Sequence, residues 1–124
     1  MINKKENNFK FLDWDVYKDS QKIFREVSGI VDNLPRSLRY TIGDQLTKSA
    51  LSVPLNIAEG SGRDSDKELN RFIDIAIGSA YEAVAALDSL NRMDRISDKK
   101  FEKLSKGYTN VVKQLGGFKK TLDC

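Results

Sequence analysis

The sequence predicts an all-α protein: an up-and-down four-helix bundle whose second helix is kinked at Pro54. Three observations lead there. Four stretches carry apolar residues three or four apart, the signature of amphipathic helices. The residues between them are those of helix ends: Pro35, Gly60 with Gly62, Ser65 and Ser97. Strand-like alternation of β-branched residues is missing, and 124 residues contain only two prolines.

Residues 1–12 read as a flexible N-terminal arm, leaving 13–124 as one bundle domain. The first helix is expected from Asp13 to Leu34, with Val16, Ile23, Phe24, Val27, Ile30, Val31 and Leu34 inward. Pro35 follows, and the residue before a proline is disfavoured in helical geometry. The second helix is expected from Arg36 to Glu59, its stripe formed by Leu38, Ile42, Leu46, Ala50, Val53 and Ile57. Pro54 removes one backbone hydrogen bond inside it, and Gly60 and Gly62 end it. Ser65 with Glu68 fits a capping box that starts a third helix running to Arg92. Leu69, Phe72, Ile73, Ala76, Ile77, Ala80, Ala83, Val84, Leu87 and Leu90 line one of its faces. After a turn at Met93–Ile96, Ser97 caps the fourth helix, with Phe101, Leu104, Tyr108, Val111, Val112, Leu115, Phe118 and Leu122 inward. Gly116 and Gly117 weaken its end by roughly 1 kcal/mol each relative to alanine.

A chain of this length buries a core without disulfides. Forty per cent hydrophobic and 31% charged residues fit a folded soluble protein. The single cysteine, Cys124, fits a reducing cytosol. The N-terminus has no apolar signal-peptide core, and no window approaches about 18 apolar residues. A cytoplasmic protein with no membrane partner is expected.

The chemical inventory argues against catalysis. There is no histidine, so the commonest general base and metal ligand is missing. One terminal cysteine cannot build a zinc site, and di-iron bundle sites need Glu-x-x-His pairs. No catalytic residue, metal or cofactor is expected, and Glu59, Glu68, Asp74 and Glu82 read as exposed helix charges. Gly60-Ser61-Gly62-Arg63 before a helix invites a phosphate-loop reading, but the glycine-lysine-serine/threonine end and the preceding strand are missing. It reads as a helix stop and turn, from which Arg63 can reach a carboxylate or a phosphate.

Two surface features stand out. On the second helix Leu51, Leu55 and Ala58 lie opposite Val53 and Ile57, and on the third Gly78 and Ala85 lie opposite Leu69 and Leu87. A second stripe of apolar or small residues points to an oligomer interface. On the fourth helix Lys99, Lys103, Lys106, Lys113 and Lys120 fall within about a third of the turn, away from its core. From Arg92 to Cys124, nine Lys or Arg face four Asp or Glu; this segment is +5 in a chain of net +3. A lysine stripe is the footprint expected for a phosphate backbone, and equally that of a solvated face. The aromatic-basic interleaving typical of single-strand binders is not found.

The central residues also carry a resemblance. Gln45-Leu46-Thr47-Lys48-Ser49-Ala50 through Ser52-Val53-Pro54-Leu55-Asn56-Ile57-Ala58-Glu59-Gly60 resembles the glutamine-leading helix of a known family. Arg63, Glu68, Arg71-Phe72 and Ala76-Ile77-Gly78-Ser79 with Glu82 resemble the segment that follows it. This is the four-helix bundle family encoded in intervening sequences of bacterial large-subunit ribosomal RNA, which also contains the accessory variability proteins of diversity-generating retroelements. The resemblance runs from Phe11 to Met93 and covers the last helix by pattern; Tyr81 stands where an aliphatic residue is expected. It implies a homopentameric ring with a basic surface and no enzymatic activity. In the retroelement branch, members bind nucleic acid and associate with a reverse transcriptase; the ribosomal branch has no settled biochemical role.

Together these readings describe a non-enzymatic oligomer that binds RNA or DNA electrostatically through Lys99, Lys103, Lys106, Lys113, Lys120 and Arg63. The alternative is an adaptor oligomer that docks a protein partner without touching nucleic acid. Pro54, Asn56, Glu59 and Gly60 read as a structural corner. Asn56 and Glu59 share a flank there, each able to accept hydrogen bonds from the next turn or from Arg63.

Overall fold

A computed structural model describes residues 8–124. They form a 3-10 turn at Lys10–Asp13 and five helices: α1 (Asp15–Asp32), α2 (Arg36–Arg39), α3 (Ile42–Ser61), α4 (Asp66–Arg92) and α5 (Asp98–Lys119). There is no strand among the described residues. The four long helices close on one another in the order α1, α3, α4, α5, each packing on its neighbours in the chain and α5 returning to α1. The α3–α4 seam is the most extensive. This is the expected four-helix bundle.

Its core is built from the predicted stripes. Val27 of α1, Leu46, Ala50 and Val53 of α3, Ala76, Ala83, Leu87 and Leu90 of α4 and Val111 of α5 are fully buried. Phe24, Ile30, Leu38, Ile42, Leu69, Ile77, Val84, Phe101, Val112, Phe118 and Leu122 are half-buried around it.

Both ends of α1 and the C-terminal end of α5 fall two or three residues short of those expected, and three larger differences stand out. Most of the arm, residues 1–7, lies outside the described residues; its end forms the 3-10 turn, where Phe11 packs edge-on against Tyr17 at 4.9 Å. The second predicted helix is divided into α2 and α3 at Tyr40–Thr41. Local hydrogen bonds explain the break: Thr41 Oγ1 donates back to the Ser37 carbonyl at 2.9 Å, and Arg39 donates to the carbonyls of Asp32 and Leu34 at the end of α1. The close seat of Gly43 fixes the restart. A Cβ there would lie 3.1 Å from the Leu38 carbonyl oxygen and 3.2 Å from Val31 Cγ1. Third, α3 continues through Pro54 and two residues beyond Glu59 to Ser61, with Pro54 buried in its interior. Tertiary burial compensates for the hydrogen bond that proline removes.

The caps behave as expected with one exception. Ser97 Oγ accepts from the Lys100 amide at 3.0 Å, and Ser65 Oγ accepts from the Glu68 amide at 3.2 Å. The Glu68 carboxylate does not complete the box; it accepts from Arg71 Nε at 2.9 Å. In the α4–α5 turn Asp94 adopts a left-handed conformation, φ 58°. The Asn91 amide spans this turn, donating to Asp98 Oδ1 at 2.8 Å and to the Ile96 carbonyl at 3.2 Å.

Candidate nucleic-acid interface

Lys99, Lys103, Lys106, Lys113 and Lys120 are all exposed. Their helical spacing spreads them obliquely over the outer side of α5. Lys103 stands at the α1 seam, where it pairs with Glu26 at 2.7 Å. Lys113 stands at the opposite edge, lining a groove between α4 and α5. Among the described residues, Lys99, Lys106, Lys113 and Lys120 have no carboxylate at ion-pairing distance.

The α1–α5 seam adds residues that spacing along α5 alone does not reveal. Lys22 lines the same shallow depression as Lys103, beside Asp19, Glu26 and Asn110. Asp19 is tied to α5 by Gln114 Nε2 at 2.8 Å. The seam therefore mixes signs, and the free positive charge lies on the crest of α5 and toward α4. Packing of α1 on α5 depends on Gly107, where a Cβ would lie 3.1 Å from Ile23 Cδ1.

Arg63 is not part of this stripe. It sits in the α3–α4 turn, bonded to Glu59 one turn earlier, with its guanidinium 4.8 Å from the Phe72 ring centroid. Arg71 covers the same ring at 4.6 Å and is held in turn by Glu68. Two ion pairs thus hold two guanidinium groups against one buried ring. Hydrogen bonding from Arg71, reinforced by its charge, holds the Glu68 carboxyl below the usual carboxylate range. Asp74 engages Lys119. Three of the four carboxylates weighed as acids or bases are therefore occupied by cations.

The corner around Pro54 departs from expectation at Asn56. Its amide reaches backward, donating to the Ser52 carbonyl at 2.8 Å and to Ser52 Oγ at 2.9 Å. Ser52 Oγ is in turn 2.7 Å from Ser79 Oγ, joining α3 to α4. The bond from Arg63 in the following turn is accepted by Glu59, while the Asn56 amide nitrogen is engaged with the preceding turn.

The residues expected at an oligomer interface are only partly brought together. Leu55 is 55% exposed, and Gly78 and Ala85 are exposed on the outer face of α4. Leu51 and Ala58 are half-buried. Leu55 and Ala58 instead border an open groove of about 880 Å³ shared with Phe9, Phe11 and Phe72. Among the described residues, no group of three or more His, Cys, Asp or Glu side chains converges to hold a metal ion, and no helix is long and apolar enough to cross a membrane.

Residues 12–117 match the family model of the 23S rRNA-intervening sequence protein. The chain belongs to this family. The match spans the Pro54 corner and four of the five stripe lysines, leaving Lys120 outside. A crystal structure of a protein of unknown function from the S23 ribosomal protein family of Bacteroides thetaiotaomicron is similar in fold. The TM-score is 0.79 at 21% identity, over 86% of this chain and 99% of that one. No functionally curated protein matches. In this member of the intervening-sequence family, Glu59 and Glu68 hold Arg63 and Arg71 against Phe72 at the α3–α4 corner.

Proposed function

We propose that this chain works in the cytoplasm as a non-enzymatic oligomer, a ring of bundles, that binds RNA or DNA electrostatically through the outer face of α5. One observation carries the reading: five exposed lysines share that face, and four have no carboxylate partner among the described residues. A ring repeats the face in every subunit, so modest contacts per copy add up. The homopentameric ring with a basic surface that the sequence resemblance implies supports the same reading. The oligomer contact is assigned to Leu55, Gly78 and Ala85, flanked by Leu51 and Ala58.

The experiment is binding of a labelled structured RNA across a salt series. Affinity should fall steeply with salt, by about 0.9 log unit per log unit of salt for each phosphate contact. Lys106→Glu and Lys113→Glu should each weaken binding and lower that slope. Lys103→Glu should perturb the α1 seam as well, since it sets two carboxylates together. Absence of binding at low salt overturns the reading.

A protein-docking adaptor is the second reading. The groove beside Leu55 favours it, because Phe9 is 61% exposed there and Leu55 55% exposed. A nuclease-resistant complex with a reverse transcriptase would be its signature.

A further inference from the structure

The α4–α5 seam opens outward into a groove of about 420 Å³, inside the roughly 300–1,000 Å³ range of small-ligand clefts. Aliphatic side chains of both helices form its walls. Tyr81 of α4 and Ser105, Thr109 and Lys113 of α5 complete it. Tyr81 is 67% exposed. Tyr108 lines the same groove, is 1% exposed, and its hydroxyl has no hydrogen-bond partner. A buried polar group without a partner is uncommon, and an incoming acceptor or donor relieves its cost. The fold has thus placed an exposed aromatic ring, four hydroxyls counting its own, and an unpaired ammonium around one apolar slot.

We propose that this groove seats an unpaired nucleobase, so that the polyanion bound by the lysine face is single-stranded; the proposal rests on the nucleic-acid reading above. A base offers a flat face to stack on Tyr81 and an edge group for the orphan hydroxyl of Tyr108. Ser105 and Thr109, whose hydroxyls already donate to α5 carbonyls, accept from its amino or imino groups. Its phosphates meet Lys113, and Lys106 lies two turns away on the same side of α5. In a duplex the base faces are already stacked and cannot enter. An apolar protein side chain would leave the Lys113 charge and the Tyr108 hydroxyl unmatched.

The test is fluorescence anisotropy at low salt with a labelled oligouridine and an RNA duplex of equal length. Oligouridine should bind more tightly. Tyr81→Ala should lower its affinity about tenfold and leave duplex binding unchanged, while Tyr81→Phe retains it. Lys113→Glu should weaken both probes. If Tyr81→Ala moves neither probe, or both equally, the groove is not a base site and the lysine-face reading stands alone. If neither probe binds, both proposals fall.

Discussion

Gly60 and Phe72 approach so closely across the α3–α4 corner that a Cβ at position 60 would lie 2.9 Å from Phe72 Cβ and 2.9 Å from Leu69 Cδ1. The leucine tip can move, but Phe72 Cβ is fixed to its helix. Gly60→Ala should therefore destabilise the fold by about 1–3 kcal/mol, as overpacking does. Gly29→Ala is the control. It meets nothing within 4 Å and should stabilise by roughly 0.5–1 kcal/mol, because alanine is the better helix former. Urea unfolding of the two variants checks both signs.

Leu55 presents more than half its surface within the stretch that matches the family model. Light scattering of the intact chain at micromolar concentration should give the mass of an oligomer. Leu55→Asp should shift it toward monomer with helical content unchanged, since the side chain is outside the core. A monomeric wild-type chain refutes the interface.

The Tyr108 hydroxyl is desolvated and unpartnered, and burial pushes its ionisation well above the ordinary value of 10.0. A raised folded-state value means stability is insensitive to this group below about pH 10 and falls as pH rises beyond it, where the unfolded chain ionises first. Tyr108→Phe should leave stability at neutral pH unchanged or raise it by about 1 kcal/mol. It should also reduce alkaline unfolding. Denaturation midpoints at neutral and alkaline pH measure both effects.

Glu68 shows the opposite sign. Its lowered value makes the Arg71 contact stabilising above the ordinary value of 4.5, and that contribution is lost as pH falls through the folded-state value. Glu68→Gln should flatten the acid limb of the stability curve slightly, the pair being exposed. It should also loosen Arg71 over Phe72, read as faster amide exchange at the start of α4.

Asp94 holds a φ of 58°, where glycine has no side-chain penalty. Asp94→Gly should raise stability by about 1 kcal/mol or less, measured as a higher thermal midpoint.

The helices were legible because each depends on near neighbours. The stripe of Leu46, Ala50, Val53 and Ile57, the caps at Ser65 and Ser97 and the stop near Gly60 follow from spacing and local hydrogen-bonding chemistry. So does the lysine crest of α5, a property of one helix alone. The break at Tyr40–Thr41 was hidden, since apolar spacing continues from Leu38 to Ile42 while Thr41 and Arg39 satisfy carbonyls elsewhere. The direction taken by the Asn56 amide is hidden for a similar reason: its bond to Ser52 is set where Ser52 meets Ser79 on another helix.

The sequence by itself determined four amphipathic spans, their inward faces and the sign of the α5 surface, because these repeat with the period of one helix. Only the tertiary structure decided which flanks meet. It set Lys103 against Glu26, stacked Arg63 and Arg71 on one ring, and brought Tyr81 and Lys113 to one groove 32 residues apart in the chain. Those meetings come from helix pairing and rotation, which are fixed by the shape of the shared core rather than by the periodicity of any one strip of chain.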